Sequence, residues 1–227
     1  MRVASEISNI SVLVVVGVTD IGHKMVLKMQ SGDKESASTW RQFFKDLKRR
    51  GLNASSMELG MIDGLSGLEK VIKEEFTKAK IQRCQVHVAR NVLCKVPRKQ
   101  KQEVADDLRS IFHAGSKKKA WKLFYDFEKK WEKDLSSAVK SLRYSIGRCL
   151  IFFDYPEEER ISLRTTNVIE RLNKEFKRRT KTMEIVAGEN ACYRLMAFIA
   201  LKMEVHGRSN SAGKVRKNLP FYNKLEF

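Results

Sequence analysis

Apolar positions along the chain change their period several times, and each change marks an element. "ISVLVVVGV" (10–18) is apolar and β-branched before it runs into "TDIGH". That predicts a buried strand entering a hairpin, with "KMVLKMQ" as the return strand. In "SASTWRQFFKDLKRRG", Trp40, Phe43, Phe44 and Leu47 recur at i, i+3, i+4 and i+7. Gly51 stands where such a helix would stop. "SMELGMID" (56–63) reads as a further strand, "GLSGLEKVIKEEF" as the helix leaving it, and "AKIQRCQVH" (79–87) as another short strand. Hairpin, helix, strand, helix, strand is an α/β pattern.

From about Arg90 to Ser162 the pattern is helical only. "KKKAWKLFYDFEKKWEKDL" sets Trp121, Phe124, Trp131 and Leu135 near one face, with lysines on the other. Such a stripe reads as core. "DYPEEER" (154–160) is a candidate boundary. Helix returns from Asn167 to about Thr180 and from about Asn190 to Val205, ahead of a polar tail, "GRSNSAGKVRKN".

Composition sharpens the picture. The 227 residues are 42% hydrophobic and include only three prolines, which fits a folded, helix-rich protein. Lys and Arg number 45 against 27 acidic residues, a net charge of +18, which points to a polyanionic partner and above all to nucleic acid. No stretch reaches the ~20 apolar residues of a spanning helix, and the start has a glutamate before its apolar run and no cleavage site after it. Four scattered cysteines fit a reducing cytoplasm better than a disulfide framework.

Two carboxylates invite chemistry. Asp63 follows an apolar segment at the expected C-terminal end of a strand, where open α/β sheets place their sites. It can hold a divalent cation there, or cap the next helix. Glu170 has the same ambiguity: with Asn167 three residues earlier it makes a capping-box-like pair. Ile169, Leu172 and Phe176 are core-facing positions on the same helix, while Glu170, Lys174 and Lys177 share a neighbouring face that Arg171, Arg178 and Arg179 widen. Those charges read either as a solvated face or as phosphate contacts. Cys84 and His87 have the spacing of half a zinc site, with no second pair to complete it. His23, His113 and His206 are isolated.

Three segments together carry a family resemblance. "MIDGLSGL", "QRCQVHVARN" and "RTTNVIERLNKEFKRRTK" occur in the order found in Mutator-type transposases of bacterial insertion sequences. The chain resembles these enzymes over nearly its whole length, and TTN-x-IER-x-N makes the match specific. The resemblance implies an RNase H-like core, a mixed sheet with flanking helices, interrupted by an all-helical insertion. Core would occupy 1–89, insertion 90–162, and the final core helices with the tail 163–227. It implies a DDE transposase that cleaves and joins DNA strands, with Asp63 as the second acid and Glu170 as the third, holding Mg²⁺ or Mn²⁺. Cys84, His87 and Asn167 would support that site. Arg83, Arg90, Arg171, Lys174, Lys177, Arg178 and Arg179 would hold DNA.

The resemblance also implies transposon ends and target DNA as partners, a homo-oligomer, a cytoplasmic, nucleoid-associated location, and neither a membrane nor a small-molecule substrate. The family's first aspartate lies in an opening strand ahead of the segment matched by "MRVASE", and Asp20 belongs to the hairpin turn. The expectation is therefore impaired transposition by this polypeptide alone. The alternative is a non-catalytic DNA-binding remnant or regulator.

Overall fold

The computed structural model describes residues 11–19, 22–181 and 189–208. The polar tail beyond residue 208 and Asp20 lie outside them. β1 (Val12–Val18) and β2 (Lys24–Ser31) form the expected hairpin. Its two ends are closed by Thr19 N–H to the His23 carbonyl at 2.9 Å and Gly32 N–H to the Ser11 carbonyl at 3.1 Å. α1 (Ala37–Arg49) buries Trp40, Phe43, Phe44 and Leu47, the four residues of the periodic stripe. Ser36 caps it by accepting from Thr39 N–H, and Gly51 ends it at φ +103°, a conformation that costs glycine nothing.

β3 (Leu59–Ile62), α2 (Ser66–Glu75) and β4 (Lys80–Arg83) make a parallel pair with a crossover helix; Ile62 lies opposite Arg83. Phe44 of α1 meets Phe76 edge-on with centroids 5.0 Å apart, which fixes α1 against α2. The expected strand over 56–63 is shorter at its start, because Asn53 caps a 3₁₀ turn over Ala54–Ser56. The expected strand over 79–87 is corrected more substantially. It ends at Arg83, and α3 (Gln85–Leu93) begins at once, so Cys84 and His87 sit at a helix start. Val88 and Val92, both buried four residues apart, supply the helical period that the short strand reading overlooked.

The remaining elements are helical: α4 (Lys101–Phe112), α5 (Lys117–Trp131), α6 (Ser136–Cys149), the short α7 (Glu157–Arg160), α8 (Asn167–Thr180) and α9 (Glu189–Arg208). Helices α3 to α6 enclose one apolar core that includes Val104, Leu108, Phe124, Phe127, Leu142, Ile146 and Phe152. Phe124 and Trp131 bury as the stripe predicts, completed by Ala120 and Phe127; Trp121 is only partly covered. Leu135 is buried at the cap of α6. Asp154, in the segment read as a boundary, binds Lys80 and Lys117, each at 2.8 Å, inside the larger compact unit.

The fold is thus mixed α/β and mostly helical, with two two-stranded sheets among the described residues. The chain divides into two compact units. The larger holds residues 11–13 and Gln30–Glu170; the other holds residues 14–19, 22–29, 171–181 and 189–208. In the latter, Leu172 and Phe176 of α8 and Met196, Ile199 and Ala200 of α9 are buried. No helix among the described residues is long and apolar enough to cross a membrane.

Candidate active site

Motifs far apart in the chain meet where β4 turns into α3. Cys84 N–H donates to the Ile62 carbonyl at 2.8 Å, extending the β3–β4 ladder by one residue. Asp63 is the next residue after Ile62, so its backbone neighbours that of Cys84 at the C-terminal edge of the pair. Adjacent strands run about 4.8 Å apart. Gly64 turns the chain away from that edge at φ +110°, and a Cβ there would stand 2.0 Å from Arg83 Nη2. Glycine there leaves room for the guanidinium and adopts a φ that other residues rarely take.

The third motif arrives through "RTTN". The Arg164 carbonyl accepts from Gln85 N–H at 3.0 Å. Thr166 donates to Cys84 Sγ twice, from its backbone N–H at 3.4 Å and from its hydroxyl at 3.3 Å. These bonds tie the start of α8 to the start of α3. Beneath them, Gln82 and Gln85 both donate to the Cys149 carbonyl, at 2.9 and 3.0 Å, and Gln82 Oε1 accepts from Phe152 N–H at 3.0 Å. A buried amide is tolerated when its donors and acceptor are all used, and Gln82 meets that condition.

Neither acid is used as a cap. α2 begins after Leu65 with no side-chain cap, and the exposed Asp63 carboxylate makes no hydrogen bond or ion pair among the described residues. In α8 the Glu170 N–H bonds to the Thr166 carbonyl, at 3.0 Å. Glu170 Oε1 is buried without a hydrogen-bond partner, and so is His87 Nδ1, 3.8 Å away. The capping box expected between Asn167 and Glu170 is therefore not formed. Ligand atoms of Cys84, His87 and Glu170 lie within 4.8 Å of one another, near enough to share a metal ion.

That arrangement fits a divalent cation. Two orphaned polar atoms facing a common space are a costly feature unless something bridges them. Cys84 Sγ already accepts two bonds from Thr166, which leaves Glu170 and His87 as the free donors of the cluster. Oxygen from carboxylate and nitrogen from imidazole suit Mn²⁺ and Zn²⁺, and carboxylate alone suits Mg²⁺.

The expected DNA-contacting residues fall into three settings. Arg90, Arg171, Lys174 and Lys177 are exposed and make no ion pair among the described residues. Arg178 and Arg179 are held by Glu175, whose carboxyl they pull down to about 2. Arg83 is 7% exposed, donates to Ser145 Oγ at 2.9 Å and lines a cavity instead of the open surface.

Two groups near the site escaped the sequence reading. Thr166 stood inside the quoted motif, and a hydroxyl next to Asn167 was its signal. Arg164 places Nη1 3.0 Å from His113 Nδ1 and stacks over Phe152. Burial, with Arg164 and Arg109 nearby, holds the His113 imidazole below its usual range.

The chain is similar to transposases of bacterial insertion sequences. The chain is 32% identical over 206 residues to the transposase for insertion sequence element ISRM5 of Rhizobium meliloti, covering 91% of this chain and 51% of that protein. It is 29% identical over 171 residues to the transposase for IS1201 of Lactobacillus helveticus, covering 75% and 46%. Against the transposase for IS6120 of Mycolicibacterium smegmatis it is 29% identical over 226 residues, covering 98% and 69%. The chain spans about half the length of the first two. The family described as "Transposase, Mutator family" matches residues 1–208. With that match over nearly all of its length, the chain belongs to the Mutator family of transposases.

Proposed function

We propose that this chain carries the catalytic region of a DDE-type transposase, cutting and joining DNA strands by metal-dependent phosphoryl transfer. The observation that supports the reading is that Cys84, His87 and Glu170 gather within 4.8 Å where β4 turns into α3, beside the strand end that Asp63 follows; Asp63 itself is not one of that cluster. The parallel β3–α2–β4 unit, the hairpin beside it in sequence and the helical run from α4 to α6 are in keeping with an RNase H-like core carrying a helical insertion.

Asp63 and Glu170 would hold the divalent cation, Mg²⁺ or Mn²⁺, with His87 Nδ1 as a further donor. When bound, such a cation neutralises charge on the phosphate and lowers the pKa of an attacking oxygen. The protein's own part includes keeping Glu170 near His87: the Thr166–Cys84 bonds tie the start of α8 to the start of α3. Arg90, Arg171, Lys174 and Lys177 bring exposed positive charge to a polyanion, which secures affinity without reading sequence. Joining two element ends calls for at least two copies acting together.

The test uses the full chain with DNA in the presence of Mg²⁺ or Mn²⁺, following nicking of supercoiled plasmid and joining of oligonucleotides by gel. Metal-dependent products are expected in low yield, as suits a site with two assigned acids and impaired activity, and none from Asp63→Asn or Glu170→Gln, while DNA binding by both variants survives. Products that persist in both variants would remove the catalytic assignment.

A further inference from the structure

Arg83 is a buried cation without a buried anion. Its residue surface is 7% exposed, its Nε lacks a hydrogen-bond partner, and it makes no ion pair among the described residues. Arginine stays protonated at any physiological pH, so its charge must be compensated by something else. One contact to Ser145 Oγ satisfies a single donor of five. Burying such a group without a partner is expensive.

The cavity that Arg83 lines suggests what compensates it. It measures about 540 Å³, and its walls come from the end of β4, from α3 and from one face of α6. Lys95 and Lys140 add two more positive charges, Ser137 and Ser141 add hydroxyls, and no acidic residue contributes to the lining. The start of α6 opens into the same space. Leu135 at its cap offers no side-chain acceptor, and its first turn holds no acidic residue. The first N–H groups and the positive end of the helix dipole are thus unshielded there.

We propose that this cavity is a phosphate subsite, taking a backbone phosphate of a DNA strand. Anion-binding concavities are commonly built from a guanidinium, lysines, hydroxyls and a helix N-terminus. The source of the phosphate follows from place. The Arg83 guanidinium packs over Gly64, the residue after Asp63, so the subsite adjoins the strand edge that carries Asp63. A strand whose reacting phosphate lies at Asp63 would set a neighbouring phosphate against Arg83. This step rests on the transposase reading given above; the bare anion site does not.

Binding measured without metal separates the two. Fluorescence anisotropy in EDTA follows a short single-stranded oligonucleotide on the full chain, with inorganic phosphate as competitor. Lys95→Ala with Lys140→Ala changes two side chains at the cavity mouth and leaves Arg83 in place. The expected result is an affinity about tenfold lower for the double variant and a log–log salt slope shallower by up to about 1.4, two contacts at about 0.7 each on single strands. Ser137→Asp, which sets a carboxylate at the helix start, should weaken binding to a similar degree. Unchanged oligonucleotide affinity in both variants, with no protection of the wild type against heat by inorganic phosphate, overturns the subsite. If inorganic phosphate protects the wild type against heat but the variants bind oligonucleotide normally, the site takes free phosphate and the strand assignment is overturned. If the variants lose affinity while no form of the chain cuts DNA, the subsite stands and the catalytic reading fails.

Discussion

His87 Nδ1 stands 3.8 Å from Glu170 Oε1, and neither buried atom has a hydrogen-bond partner. The first comes from the opening turn of α3 and the second from the opening turn of α8, so the meeting is a product of the tertiary fold. A cation shared between them would repay their desolvation. Mn²⁺ should therefore raise the melting temperature of the chain, because a ligand that binds only the folded state stabilises it by about 2.7 kcal/mol at a hundred times its Kd. Glu170→Gln should lose most of that shift. In EDTA the same variant should melt close to the wild type, since the carboxylate caps nothing. A variant that unfolds in EDTA would return Glu170 to a structural role.

Thr166 is the second joint of the site. Its hydroxyl donates to Cys84 Sγ, and Val has the same shape without the donor. Thr166→Val should cost on the order of 1 kcal/mol in denaturant unfolding, as the loss of one buried hydrogen bond does. The larger effect should be on Mn²⁺ affinity, because α8 loses part of its hold on α3. Equal losses in both measurements would show that Thr166 only supports the core.

What the sequence disclosed and what it hid divide along a physical line. Trp40, Phe43, Phe44 and Leu47 announced α1 because a single amphipathic helix needs no partner to show its period. α8 was legible to its bounds for a similar reason. Cys84 and His87 were found as a pair but placed on a strand, since "KIQRCQVH" is too short to separate a period of two from one of 3.6. Their third companion could not be found by spacing. Glu170 belongs to another helix, and it completes the Cys84–His87 pair with a carboxylate in place of a second Cys or His pair. Arg83 looked like a surface contact because Arg is usually exposed, whereas its burial depends on Gly64 and Ser145, residues far from it in sequence.

Glu69 gives the larger unit a response to acid. It is nearly buried, which alone would raise its pKa, but hydrogen bonds from Lys73 and Arg148 outweigh that and hold it below the ordinary 4.5. A depressed carboxyl pKa means the native state binds the proton less readily than the unfolded chain does. Its contribution is therefore complete above 4.5 and is lost as pH falls through the lower folded value. Unfolding by urea from pH 7 to 3 should show stability falling below about 4.5 in the wild type. Glu69→Gln should be less stable at pH 7 and should fall less steeply on acidification. A parallel curve for the two proteins would place the acid sensitivity elsewhere.

Glu175 restrains the basic face of α8. Arg178 approaches it with both Nε and Nη2, at 3.0 and 2.8 Å, and Arg179 adds Nε at 2.8 Å. These bonds hold the carboxyl at about 2, so at neutral pH it is ionised and competes for the two guanidinium groups. A DNA phosphate would have to displace Glu175 before either arginine could reach it, while Lys174 and Lys177 on the same helix face no such competition. Glu175→Gln should therefore raise DNA affinity several-fold at low salt, and steepen the log–log salt dependence by up to about 1.8, two contacts at 0.9 each on duplex DNA. Lys174→Ala with Lys177→Ala should do the reverse. Anisotropy titrations across 50 to 200 mM salt, on the order used for such slopes, separate these outcomes. A Glu175→Gln slope equal to that of the wild type would mean that α8 meets DNA through its lysines alone, with Arg178 and Arg179 serving only to brace the helix.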